Sequence, residues 1–213
     1  MDNVFDRSKH VYQSDAFEEI IKDTVRFFNG TPVHKLPPPE NFAGTGVYAL
    51  YYTGMSPYYK VLYDLNRMEF KQPIYVGKAV PQGWRQARKA KNPNDSHELY
   101  RRLCDHTKSI AQAENLDLND FYCRFMILEN AASDLIGTVE AALIRYYTPV
   151  WNSSIDGFGN HDPGKGRYNQ AKSEWDILHP GRQWACKCQG ESSALADVEN
   201  KVHKYLMGGK DDQ

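Results

Sequence analysis

"GVYALYY" (residues 46–52) and "PIYVGKA" (residues 73–79) decide how this chain is read. Each is a short run rich in valine, isoleucine and aromatic residues, bounded by turn-forming residues, which is the pattern of a buried strand. Each carries a tyrosine in its middle, Tyr48 and Tyr75. Gly46 stands just before the first strand's phenol, and Gly77 lies just inside the end of the second. Why two strands place a phenol at matched positions, each beside bare backbone, is the question the rest of the sequence must answer.

The surroundings alternate helix and strand. Residues 14–29 place Phe17, Ile20, Ile21, Val25 and Phe28 at helical spacing, with Ser14 as N-cap and Gly30 as stop. "TPVHKLPPPENF" (31–42) reads as a Pro-rich connector without regular structure. After the first strand, Ser56 and Pro57 open a short helix with Val61, Leu62 and Leu65 on one face. After the second comes a polar, basic segment, 78–97. A helix over 98–114 turns Leu99, Leu103 and Ile110 inward. A third strand, 120–129, follows, then an apolar helix, 133–147, stopped by Pro149. A long Gly-rich loop and a last helix, 194–206, close the chain. The two tyrosine strands are expected to pair as a hairpin once the insertion between them is set aside. The simplest packing is an α/β (α+β) domain: a small three-stranded antiparallel or mixed sheet flanked by helices, with helical and loop insertions.

Composition supports one domain over 1–213, because 213 residues at 41% hydrophobic and 25% charged suffice for a sizeable core. A net charge of −1 provides no global field toward nucleic acid or an acidic membrane, so any such preference must come from local clusters. "MDNVFDRSKHVY" is polar, and no apolar run approaches a membrane span. A soluble, intracellular protein is expected. Cys104 and Cys123 fall in helix and strand patterns as small hydrophobes. Cys186 and Cys188 form "CKC", which lacks the two-residue gap and second pair of a zinc site even with His179 near, so reduced cytosolic thiols are expected.

The polar residues that stand out are few. Arg102 and His106, four apart, share a face of the 98–114 helix, expected to differ from the Leu99–Leu103–Ile110 face. Glu140 is a lone carboxylate between Val139 and Ala141 in an apolar helix, costly to bury unless a cation meets it. Asn152 opens the Gly-rich loop. A single carboxylate suits one divalent ion that keeps most of its waters, as Mg²⁺ does. An arginine suits a phosphate that gains charge in a transition state, and a tyrosine or histidine beside it suits the orienting or deprotonation of a water. Hydrolysis of a phosphodiester needs such parts.

"GVY" at 46–48 and "YVG" at 75–77 resemble the two halves of the GIY-YIG nuclease motif. Arg102, His106, Glu140 and Asn152 follow in the order in which that family carries an arginine and a histidine on the next helix, a metal-binding glutamate on a later one and an asparagine after it. The resemblance covers a core of about 45–155, leaving an N-terminal helical extension over 1–44 and a C-terminal extension over 156–213. "GVYALYY", "PIYVGKAVPQGWRQ", "TVEAALI" and "WNSSIDGFGNHDPGKGR" further resemble the type II restriction endonucleases of this fold that cut CCGCGG, a likeness that reaches both ends of the chain. Tyr48 and Tyr75 lie 27 positions apart, farther than the family's usual spacing, and the basic segment delays the next helix. Both departures read as insertions, which commonly meet the substrate.

The resemblance implies a Mg²⁺-dependent, one-metal endonuclease (Mn²⁺ as possible substitute) acting on double-stranded DNA. In it Tyr48 orients or deprotonates the attacking water, His106 accepts or polarises the Tyr48 proton, and Tyr75 hydrogen-bonds the scissile phosphate or the water. Arg102 stabilises phosphate charge, Glu140 holds the metal, and Asn152 fixes the neighbourhood. Lys78 touches phosphate or, with Arg102 and His106, lowers the Tyr48 pKa, since a phenol near 10 is otherwise a poor base. A palindromic target implies a homodimer, with the 14–29 helix and the 56–70 insertion as candidate surfaces. A companion methyltransferase and a bacterial cytoplasmic location are implied too. Lys78, Arg85, Arg88, Lys89 and Lys91 form an acid-free basic run suited to DNA phosphates, and Lys165 and Arg167 in "GKGR" are further candidates for DNA contact.

Other readings are a DNA-binding module of this fold with dead chemistry, and a repair or mobile-element endonuclease, which usually carries a separate DNA-binding domain. An HNH-like site in "GNHDPGKGRYN" has His161 and Asn169 but lacks a second histidine at workable spacing. Around Asp95 and Glu98 the lysine of a paired-acid nuclease motif is missing. Taken singly, each candidate residue also has an ordinary structural use; their joint order is what points to chemistry.

Overall fold

The structure is a computed structural model that describes residues 5–81, 83–84 and 96–208. Its centre is a four-stranded antiparallel sheet in the order β1-β4-β2-β3. The strands are β1 (Val33–Lys35), β2 (Gly46–Tyr52), β3 (Tyr75–Ala79) and β4 (Phe121–Ile127). The helices are α1 (Asp15–Gly30), α2 (Lys60–Asn66), α3 (Glu98–Gln112), α4 (Ile136–Tyr147), α5 (Val150–Ser153), α6 (Glu174–Leu178) and α7 (Leu195–Gly208). The α+β class with helices flanking a small sheet is as expected, and β2 and β3 pair antiparallel as the hairpin reading requires.

Strand β2 is the axis of the molecule. Every one of its residues is buried, because both faces of the sheet are covered. Tyr48, Leu50 and Tyr52 point into one apolar cluster with Leu99, Leu103, Trp151 and Phe158. Val47, Ala49 and Tyr51 point the other way, into a cluster with Val139, Leu143 and Phe28. A period-2 strand sandwiched between two cores has to be apolar throughout, which explains the unbroken run in "GVYALYY".

Three features differ from the sequence reading. The Pro-rich connector contains β1, which adds a fourth strand through three paired residues against β4. A three-residue strand before three prolines has too little pattern to register. The Gly-rich C-terminal segment contains α6, capped by Ser173, whose hydroxyl accepts the Asp176 N–H. In α1 the apolar stripe is only partly used: Phe28 is buried, whereas Phe17 and Ile20 are exposed.

Away from the sheet centre, a buried polar chain ties the C-terminal extension to the core. Tyr59 Oη lies 2.6 Å from His179 Nε2 and accepts from Trp151 Nε1 at 2.8 Å. His179 Nδ1 lies 2.8 Å from Asn115 Oδ1, whose amide nitrogen donates to the Leu178 carbonyl. An acceptor at Nδ1 makes that nitrogen the protonated one, so Nε2 takes the Tyr59 proton side and the ring is neutral. Burial lowers the His179 pKa to about 3, with the nearby Arg182 acting in the same direction.

A pH dependence of stability follows. Between the unfolded value of 6.5 and the folded value of about 3, the unfolded chain binds a proton at His179 that the folded chain refuses. Stability therefore falls as pH drops through this window, by about 1.4 kcal/mol per pH unit from this residue. Urea unfolding followed from pH 7 to pH 4 checks it, and a His179→Gln chain, though weaker at pH 7, will decline less steeply by about that slope.

Candidate active site

The strand register explains the paired tyrosines. Tyr48 lies directly across from Gly77, and Tyr75 across from Leu50. Both phenols therefore share one face of the sheet, their ring centroids 6.3 Å apart. The Tyr48 ring leans over Gly77: a Cβ there would stand 2.5 Å from its oxygen and 2.6 Å from its Cζ. The bare backbone at 77 is the space the phenol occupies. At Gly46 the crowding comes from the chain instead, since a Cβ would meet the Met126 carbonyl oxygen at 2.0 Å.

Helix α3 brings the third ring. His106 is buried together with Leu99, Leu103 and Ile110, so it belongs to the apolar stripe. The expected separation of faces is thus corrected: positions 99, 103, 106 and 110 follow the helical repeat, and the histidine is part of it. Arg102 borders this stripe and is half-buried. Phe158 stacks on the His106 ring at 4.6 Å, and Tyr75 meets it edge-on at 5.2 Å. Burial lowers the His106 pKa to about 3, and Arg102, His161 and Arg182 push the same way, so the imidazole is neutral.

His106 Nε2 lies 2.6 Å from the Tyr48 oxygen. Arg102, which also acts on Tyr48, has only N–H groups to present, so the phenol is left to donate its proton to Nε2. The Tyr48 pKa is raised well above 10, chiefly by burial and then by Tyr75; Arg102 opposes this without prevailing. Burial raises the Tyr75 pKa too. The expected lowering of the Tyr48 pKa by surrounding cations is therefore not found, because removing a phenolate from water costs more than one nearby guanidinium returns.

A cleft of about 580 Å³ opens beside these rings, lined by Tyr75, Lys78, Trp84, Glu98, Arg102 and Glu140, among others. Tyr48, fully buried, stands behind Tyr75 rather than in the wall. Lys78 Nζ lies 2.5 Å from Glu140 Oε2, both side chains partly exposed. The lone carboxylate of α4 thus has the cationic partner that its apolar helix called for. Glu98, the other acid of the wall, is bound to Arg101. Arg102 Nη1 donates to His161 Nε2 at 2.6 Å. Asn152 does not line the cleft: its amide accepts the Val76 N–H and donates to the Val76 carbonyl, each at 2.8 Å, pinning β3 between Tyr75 and Gly77.

Lys165 and Arg167 are exposed in the loop beyond His161 and do not line the cleft. Arg85, Arg88, Lys89 and Lys91 lie outside the described residues. Among the described residues no group of three or more His, Cys, Asp or Glu side chains is poised for a metal. One carboxylate at an open cleft fits a cation that keeps most of its hydration shell, and does not fit a tightly caged one. Phe158, Gly159 and Trp84 were not singled out from sequence as site residues, and His161 was weighed only for an HNH-like site, not as a partner of Arg102. "GFGNH" gave one signal, an aromatic and a histidine inside an otherwise small-residue loop.

The family model described as the Eco29kI GIY-YIG domain matches residues 40–206. No curated protein matches the chain. No helix among the described residues is long and apolar enough to cross a membrane. The match spans most of the chain; Tyr75, Arg102 and Glu140 line one cleft of the matching fold, with the buried Tyr48–His106 pair behind Tyr75. This chain belongs to the Eco29kI GIY-YIG domain family of restriction endonucleases, nucleases that act on DNA.

Proposed function

We propose that this chain is a type II restriction endonuclease that cuts both strands of a short palindrome, CCGCGG, using a single Mg²⁺ held at Glu140. The observation that carries the reading is the juxtaposition, across one cleft, of the Tyr75 phenol, the Arg102 guanidinium and the Glu140 carboxylate, backed by a neutral Tyr48–His106 pair. The target sequence rests on the likeness of the quoted stretches to that subgroup. A phenol–imidazole pair one ring away from a cleft that carries a guanidinium and a carboxylate favours catalysis over an inactive binding module.

In this reading Tyr75 and Arg102 meet the scissile phosphate from the cleft wall. Arg102 stabilises the charge that develops on the phosphoryl oxygens, a contribution of about 10²–10³ in rate for one well-placed donor. Because the Tyr48 pKa is raised, Tyr48 does not act as a standing phenolate. Its oxygen takes a proton from the water side as its own proton passes to the neutral His106 Nε2, so the phenol is a conduit and the imidazole the final acceptor. Glu140, with Lys78 displaced from it, would hold the cation, which supplies Lewis-acid stabilisation of the phosphate and leaving oxygen. Lys78 is then free to pair with a phosphate. Asn152 acts through β3, keeping Tyr75 and Lys78 in register.

A palindrome is met most simply by two copies related by a two-fold axis. Phe17, Ile20 and Phe27 on α1 are 43%, 47% and 63% exposed, and this apolar surface supports α1 as part of a homodimer contact. The basic run from Arg85 to Lys91 and the exposed Lys165 and Arg167 are proposed to track the DNA backbone or read guanine edges. A companion methyltransferase in a bacterial cytoplasm completes the proposed system.

Digesting a plasmid of known sequence in Mg²⁺ and sequencing the ends tests the reading: ends confined to CCGCGG are expected, and scattered ends or none overturn it. Glu140→Ala is expected to bind the same duplex in a mobility-shift assay while cleavage falls by about 10³-fold or more, the scale of several kcal/mol of metal-derived stabilisation. Arg102→Ala should lose about 10²–10³ in single-turnover rate. Affinity for the duplex should fall linearly with salt on a log–log plot, with a slope near −0.9 per phosphate contacted, about −5 or steeper for six or more contacts; a flat response removes the phosphate-tracking surface.

A further inference from the structure

Arg182 is the most deeply buried cation among the described residues, at 1% exposure. All five of its N–H groups are used. Nε and Nη2 donate to the two oxygens of Asp176 at 2.6 and 2.7 Å. Nη2 also donates to the Gly157 carbonyl at 2.9 Å, and Nη1 to the Phe158 and Asn160 carbonyls at 3.1 and 3.2 Å. The guanidinium carbon lies 4.5 Å from the centre of the Trp175 ring and 4.7 Å from that of Trp184. A buried ion pair of this kind is weak evidence for stability, since well-packed apolar side chains commonly do as well. What a five-donor fork provides and an apolar side chain does not is direction, and here it is aimed at one stretch of backbone.

That stretch, 157–161, touches three active-site side chains. Phe158 stacks on His106 at 4.6 Å and meets Tyr75 edge-on at 4.9 Å. Gly159 leaves room for the Tyr75 hydroxyl, which would stand 3.0 Å from a Cβ there. His161 accepts from Arg102. We propose that Arg182 is a positioning residue of this active site: held by Asp176, it fixes residues 157–161, and that segment sets Tyr75, Arg102 and His106 relative to one another. The proposal rests on the nuclease reading above. Around His106 the charged and titratable groups are Tyr48 on β2, Tyr75 on β3, Arg102 on its own helix, His161 in the loop, and Arg182. Loosening the loop exposes the imidazole and removes the chief cause of its lowered pKa, which is burial.

The test uses the full chain with Arg182→Met, Arg182→Lys and Asp176→Asn. Each is checked for folding by circular dichroism, then measured for duplex affinity, single-turnover cleavage and the His106 titration midpoint by NMR. For folded Arg182→Met, cleavage is expected to fall by about 10²-fold while affinity stays within about threefold, as for a small displacement of reacting groups. The His106 midpoint should rise from about 3 toward 6.5. Arg182→Lys, which keeps the charge but not the fork, should lie between. Arg182→Met that folds and keeps the parent's rate, or that loses rate with the His106 midpoint unmoved, overturns the proposal. If Arg182→Met does not fold, Asp176→Asn is judged by the same two outcomes. If the parent itself cuts no DNA, the nuclease reading fails, and the His106 midpoint alone still decides whether the clamp holds.

Discussion

The close antiparallel approach of β2 and β3 at Tyr48 and Gly77 is the constraint on which the rest depends. Strand β2 has no free face, so the Tyr48 phenol has nowhere to go except across the neighbouring strand. Only glycine at 77 permits that. Once the ring lies there, its oxygen is delivered to His106, and Tyr75 is left to form the wall of the cleft. Slipping either strand by one residue would turn its own phenol to the opposite face, into the cluster beneath α4, and so separate the pair.

Among the described residues two tyrosine–histidine pairs share the same 2.6 Å separation, Tyr48–His106 and Tyr59–His179. Burial makes both histidines neutral and raises both phenols. Local chemistry therefore does not separate a catalytic pair from a structural one; surroundings do. Tyr59–His179 is closed on every side by Trp151, Trp175 and Asn115, and its hydrogen bonds are all internal. Tyr48–His106 is one ring away from a cleft that holds a partly exposed ion pair. Lys78 and Glu140 reach that cleft as a partly exposed pair, and under the proposed function each would exchange its partner there, Glu140 for a cation and Lys78 for a phosphate.

The segment that follows α4 serves the site as well as the core. Asn152 replaces two missing strand hydrogen-bond partners at Val76 on the edge of the sheet. Beyond it the loop folds back so that Phe158 covers His106, and Arg182 holds that return in place. These supports come from residues distant in sequence from the tyrosine motifs: Asn152 alone is 76 positions beyond Val76. Their effect on the rings is mechanical: they restrict where β3 and α3 can sit.

Much of this was legible in the residues. The strands of "GVYALYY" and "PIYVGKA", the helices bearing Arg102 and Glu140, and the need of Glu140 for a cation all follow from apolar periodicity and the cost of burying charge. Less legible was anything set by contacts distant in sequence. Strand β1 exists because β4 offers it an edge, and its three residues carry almost no pattern of their own. The His106 face was misread because a histidine was counted as polar, although its position repeats the buried stripe. The direction of the Tyr48 pKa depends on burial from both sides of the sheet, which no local pattern encodes. Sequence alone determined which groups are available and on which elements they ride, because propensity and periodicity act over a few residues. The tertiary structure decided which of them meet, how wet each one is, and which nitrogen faces which oxygen, because desolvation and hydrogen-bond geometry arise only where distant segments pack.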